Sequence, residues 1–117
     1  MAVKRIVTNI ATDRVDDAVA FYRDILGLQV VMDLGWIVTL AADDPAAPQV
    51  SVASEGGSGT PVPDLSIEAD DLNAVYARVL MAELRIEYGP VIEPWGVQRF
   101  FVRDPCGRLL NILAHSA

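Results

Sequence analysis

A chain of 117 residues is long enough for one domain with a real core and too short for two independent ones. A hydrophobic content of 52% argues against disorder, and no apolar run approaches the length of a membrane span. The formal net charge of −7 makes nucleic acid and anionic lipid poor partners, and is otherwise no more than a small protein needs to stay in solution.

The first apolar run, Val3-Lys4-Arg5-Ile6-Val7-Thr8-Asn9-Ile10, predicts a strand. Polar Thr8, Asn9, Thr12 and Asp13 follow the basic pair at once, so there is no signal-peptide core, and the one cysteine allows no internal disulfide. Both predict a cytoplasmic protein. Asp13 to Leu26 then predicts a helix, because Val15, Ala18, Val19, Tyr22, Ile25 and Leu26 form one apolar stripe. Thr12 or Asp13 is expected to cap it and Gly27 to end it. Strands are expected near 28–34, 36–42 and 49–54, with a turn cluster from Asp43 to Pro48. Glu55 to Pro61, with Gly56, Gly57, Ser58 and Gly59, predicts a flexible, exposed linker. It holds no lysine and opens no helix, so it is not a phosphate-binding loop.

The pattern then restarts. Val62-Pro63-Asp64-Leu65-Ser66-Ile67 predicts a strand, and Asp70 to Leu84 a helix capped by Asp70 or Asp71. Its stripe of Leu72, Val75, Tyr76 and Val79 repeats Val15, Ala18, Val19 and Tyr22 at an offset of 57 residues. Strands are expected near 86–93, 97–103 and 108–114, the last two joined by the hairpin turn Asp104-Pro105-Cys106-Gly107. The predicted fold class is α+β: two tandem βαβββ modules, about 3–54 and 62–114, in one domain over 1–117. Antiparallel-rich curved sheets would then form a concave groove.

Ala18-Val19-Ala20-Phe21-Tyr22-Arg23-Asp24-Ile25-Leu26-Gly27-Leu28 strongly resembles the first-helix signature of the vicinal oxygen chelate superfamily. That superfamily includes glyoxalase I, bleomycin-resistance proteins, extradiol dioxygenases, fosfomycin-resistance enzymes and methylmalonyl-CoA epimerase. Trp95-Gly96 followed by Phe100 to Asn111 is similar to its C-terminal hairpin. The resemblance covers both halves of the repeat and implies that fold. In metal-dependent members it also implies ligands on the first and last strands of each half. Carried over, those places fall near Ile6, near Asp64, on Asn111 and in Gln49 to Ser54. A divalent cation needs several charged or lone-pair donors converging on one point, and this set offers little beyond Asp64 and a neutral Asn111. The sole histidine, His115, is expected to fray near the chain end.

Other candidates weigh against plain structural roles. Cys106 lies between Arg103 and Arg108, but a turn position that tolerates most residues explains it better than a nucleophile does. Asp16-Asp17, Asp43-Asp44 and Asp70-Asp71 suit caps and turns. Glu87 or Glu93 could serve as a base if its strand turns it inward. Trp36 and Trp95 stand at strand mouths, where each could stack on a flat ligand or seal the end of a sheet. By resemblance, Arg99, Phe101 and Asn111 lie on the concave face. The reading is a metal-free, cofactor-free binding protein similar to the bleomycin-resistance branch, sequestering a drug or natural product. Its ligand contacts would be Trp36, Asp64, Trp95, Arg99, Phe101 and Asn111. The acidic balance suits a cationic or aromatic ligand, and the resemblance implies a homodimer. A lyase, isomerase or dioxygenase, with or without a divalent metal, is the first alternative. A peptide- or carrier-binding domain is the second.

Overall fold

The two helices stand where the repeated stripe puts them. In the computed structural model, which describes residues 2–115, the elements run β1 (Val3–Ala11), α1 (Val15–Asp24), β2 (Gln29–Asp33), β3 (Ile37–Ala41) and β4 (Gln49–Ala53). The pattern repeats as β5 (Leu65–Ala69), α2 (Leu72–Met81), β6 (Ile86–Ile92), β7 (Val97–Arg103) and β8 (Leu109–His115). The chain divides into two compact units, an N-terminal one of Val7–Val62 and a C-terminal one of Met1–Ile6 with Pro63–Ala117. The first residues of β1 thus belong with the second module.

The N-terminal unit has strand order β2-β3-β4-β1, and the C-terminal unit has β5-β8-β7-β6. In each, one pair is parallel (β1 with β4, β5 with β8) and the others are antiparallel. The same stripe makes both cores. Val15, Ala18, Val19 and Tyr22 of α1 pack on buried Val38, Leu40 and Val52. Leu72, Val75, Tyr76 and Val79 of α2 pack with Phe100, Val102 and Ile112. The fold is α+β, built from two βαβββ modules.

Both helices are shorter than the spans predicted for them. Asp71 caps α2, its carboxylate accepting from the Ala74 amide at 3.0 Å. The N-cap position of α1 is Arg14, which makes no capping bond, so neither predicted cap serves. Thr12 instead accepts from the Arg14 amide at 2.9 Å, one residue too early, while the Arg14 side chain bonds Asp17 at 2.9 Å. All five residues of β2 are exposed, including Val30, Val31 and Met32.

The predicted flexible linker is a bonded turn instead. Gly56, Gly57 and Thr60 are buried. The Gly56 amide donates to the Thr60 carbonyl at 2.8 Å, the Thr60 amide to Gly57 at 3.0 Å, and the Thr60 hydroxyl to Gly57 at 2.7 Å. A Cβ on Gly56 would run into the Pro61 carbonyl and the Thr60 hydroxyl. Glycine is here because the backbone closes on itself, not because the segment is loose.

The β7–β8 hairpin pairs without interruption from Val97 opposite His115 to Arg103 opposite Leu109. Asp104 organises its turn, one carboxylate oxygen accepting from the Cys106 and Arg108 amides, each at 2.9 Å. His115 is paired as the last residue of β8, which corrects the expectation that it frays. No helix among the described residues is long and apolar enough to cross a membrane.

Candidate functional site

Phe100, Val102 and Ile112 point toward α2. Side chains alternate along a strand, so Arg99, Phe101 and Asn111 lie on the opposite face of the C-terminal sheet. Register brings Phe101 opposite Asn111, Arg99 opposite Leu113, and Ser66 of β5 beside Asn111.

Arg99 is locked inside this face. Its Nε donates to Glu93 Oε2 at 2.8 Å and a terminal nitrogen lies 2.6 Å from the same oxygen, with both side chains only 3% exposed. The Tyr88 hydroxyl donates to that oxygen at 3.1 Å. The guanidinium sits over three rings, 4.8 Å from the Phe101 centroid, 4.9 Å from Trp95 and 5.3 Å from Tyr88. Cation–π attraction is strongest where water is excluded, so the rings and the carboxylate hold the charge together. Local sequence builds this arrangement. The Glu93 amide donates to the Val97 carbonyl and the Gly96 amide to the Glu93 carbonyl, closing a hairpin over Pro94-Trp95-Gly96. The next inward residue after Val97 is Arg99. On the neighbouring strand, Gly89 at φ +78 has no room for a Cβ, which would come 2.5 Å from the Arg99 carbonyl. That close approach places Tyr88 beside Phe101, ring centroids 5.2 Å apart.

Asn111 is 8% exposed. Its amide nitrogen donates to the Ser66 hydroxyl at 3.1 Å, and its carbonyl oxygen, Oδ1, is buried with no hydrogen-bond partner. Turning the amide over would only exchange an orphan acceptor for an orphan donor. A buried polar group left without a partner costs about 1–3 kcal/mol, so this atom stands out among the described residues.

The other predicted residues scatter. Trp36 is half-buried and belongs to the N-terminal unit, where its carbonyl accepts from the Ser54 amide at 2.9 Å. Asp64 lies outside β5. One carboxylate oxygen accepts from the Leu109 amide at 2.9 Å, and the other is 3.9 Å from Arg108. Glu87 is paired with Arg103 at 2.8 Å. Cys106 is exposed in its turn. The sequence reading gave no role to Tyr88, Ser66 or Glu68, and treated Glu93 only as a base. The signal for the Glu93 pair was present, since an acid before Pro-Trp-Gly and an arginine two residues into the next strand must meet across a short hairpin. Glu68, on the same face by its register with Leu113, lies 2.9 Å from His115 Nδ1, 3.3 Å from Arg5 and 3.9 Å from Lys4.

A family model described as the Glyoxalase/Bleomycin resistance protein/Dioxygenase superfamily matches residues 4–112. The chain belongs to that superfamily. No curated protein matches it. Among solved structures, it is similar to a superfamily member from Vibrio splendidus 12B01 at 20% identity and TM-score 0.68, over 97% of this chain and 99% of that one. It is also similar to methylmalonyl-CoA epimerase of Streptomyces coelicolor bound to 2-nitronate-propionyl-CoA, at 20% identity and TM-score 0.73, over 99% and 100% of the two chains. A third, described as NAD-dependent benzaldehyde dehydrogenase from Legionella pneumophila, has 13% identity and TM-score 0.75, over 96% and 100%. At these identities the likeness is one of fold.

Superfamily resemblance placed metal-ligand positions near Ile6, near Asp64 and on Asn111. Ser66, not Asp64, stands beside Asn111, and its counterpart 57 residues earlier is Asn9, which stands beside Ser51. Each unit thus carries an amide and a hydroxyl at the equivalent place. This donor set does not fit a divalent cation, which at such a site wants carboxylate or imidazole. Among the described residues no three His, Cys, Asp or Glu side chains are grouped to hold one.

Proposed function

We propose that this superfamily member is a metal-independent small-molecule-binding protein that acts by sequestration. Its ligand lies against the face carrying Asn111, Phe101 and Trp95. The observation that carries this reading is the buried, unpartnered Asn111 carbonyl, an acceptor beside aromatic rings. Such a face suits a flat, apolar or cationic ligand presenting an N–H group to Oδ1. Arg99 serves as a support for Trp95 and Phe101 and is not offered as a free cation. Asp64, in the same unit as Asn111, stays a proposed ligand contact. The exposed thiol of Cys106 is compatible with a cytoplasmic setting. A homodimer is proposed as well, supported by the apolar exposure of β2, and sedimentation at micromolar concentration checks it.

Aminoacridine, a flat cation with N–H donors, is a direct probe. Asn111→Leu is expected to weaken its binding about tenfold or more, the scale of one charge-assisted hydrogen bond. The melting temperature should stay level or rise, because the orphan carbonyl is gone. Equal affinity in variant and parent would remove Asn111 from the site.

One observation favours a second reading, a metal-free lyase or isomerase. The Glu68 carboxylate orients the His115 ring on the same sheet face, as an acid–base pair requires. Catalytic turnover abolished by His115→Gln, with aminoacridine binding retained, would establish it over sequestration.

A further inference from the structure

The Glu93–Arg99 pair does more for this face than stiffen it. A buried guanidinium on a ligand-binding surface ordinarily makes that surface a receptor for carboxylates and phosphates. Here the cation is met within the protein: three donors, two from Arg99 and one from Tyr88, converge on Glu93 Oε2 at 2.6, 2.8 and 3.1 Å. The three rings cover the guanidinium. The unmet group nearby is the Asn111 acceptor, one cross-strand pair along at Phe101. The buried cation of this face is therefore already compensated.

We infer that Glu93 sets the charge selectivity of the binding face, admitting neutral and cationic flat ligands and refusing anionic ones by keeping Arg99 compensated. This rests on the binding reading given above. Glu93 touches no ligand in this scheme and acts through Arg99, so it is a positioning residue. The two carboxylates of the neighbourhood also divide by partner. Glu68 meets Lys4, Arg5 and His115, whereas Glu93 meets Arg99 and Tyr88, so loss of Glu93 removes the carboxylate that faces Arg99.

The test compares two probes that share a ring system and differ in charge, aminoacridine and an acridine carboxylate, by fluorescence titration at fixed ionic strength. The parent should prefer the cation. Glu93→Gln should gain about tenfold or more for the carboxylate and lose about as much for the cation, the scale of one charged contact. Arg99→Gln should move both affinities the opposite way, and it keeps the inference testable if Glu93→Gln fails to fold. The neutral double variant, Glu93→Gln with Arg99→Gln, should return to the parent's preference. Folded single variants with the parent's ratio of affinities would overturn the inference while leaving the binding reading intact. A parent that binds neither probe would overturn the binding reading, and the inference with it.

Discussion

Arg99→Met is expected to cost about 3–5 kcal/mol of folding stability, because it leaves the Glu93 carboxylate buried without its guanidinium. The ion pair itself is not the source of that figure. Withdrawing two charges from water offsets most of their attraction, so removing both partners should be far milder than removing one. Arg99→Met with Glu93→Leu is therefore expected to recover most of the loss. Urea denaturation of the parent, the two single variants and the double variant gives the coupling directly. A double variant as unstable as the sum of the singles would show that the rings, not the carboxylate, hold the arginine. The rings give an independent readout. Trp95 lies against the guanidinium, so its emission should shift in every variant lacking Arg99.

Phe100→Ala should be as damaging for a different reason. The side chain is wholly buried, packs with Leu72, Val102 and Ile112, and meets the Tyr76 ring edge-on at 5.4 Å. Removing a core phenylalanine costs about 3–5 kcal/mol, part of it lost transfer energy and part the cavity that remains. Its neighbours in sequence, Arg99 and Phe101, face the other way. Both rings are buried, but on opposite faces of the strand. Phe100→Ala should lower the denaturation midpoint sharply while leaving aminoacridine affinity of the folded fraction near that of the parent. Phe101→Ala, which also empties a buried position, should lower the midpoint as well and in addition weaken binding. If both substitutions weaken binding equally, the assignment of faces is wrong.

The repeat was legible in the sequence because both helices must bury the same stripe, and α1 and α2 bury it as the 57-residue offset requires. Face assignment along β7 rests on alternation and the family resemblance, and the packing of Phe100 with α2 agrees with it. Register was harder. The Ser66–Asn111 neighbour pair depends on parallel pairing between segments 45 residues apart, and nothing local in either strand states the alignment. The segment from Glu55 to Pro61 misled through composition. Glycine and serine signal freedom in a linker but also allow the tight return that Thr60 closes with Gly56 and Gly57. Position near a terminus is a poor guide to fraying at His115, because pairing with Val97 carries β8 to that residue. Arg99 was recognised as facing inward, but its partner was not. Two opposite charges on one face of a hairpin neutralise each other before any ligand arrives.

The hairpin over Pro94-Trp95-Gly96 has a kinetic side. Glu93 and Arg99 are six residues apart, whereas Ser66 must find Asn111 across 45. Closing a short loop sacrifices less chain entropy than closing a long one, and contacts between near neighbours form sooner. The aromatic half of the proposed binding face thus comes from one short stretch of chain and can form early. The amide–hydroxyl half must wait for β5 to dock against β8. In an amide-exchange experiment the two halves would report different events, the first the closure of a hairpin and the second the completion of a sheet.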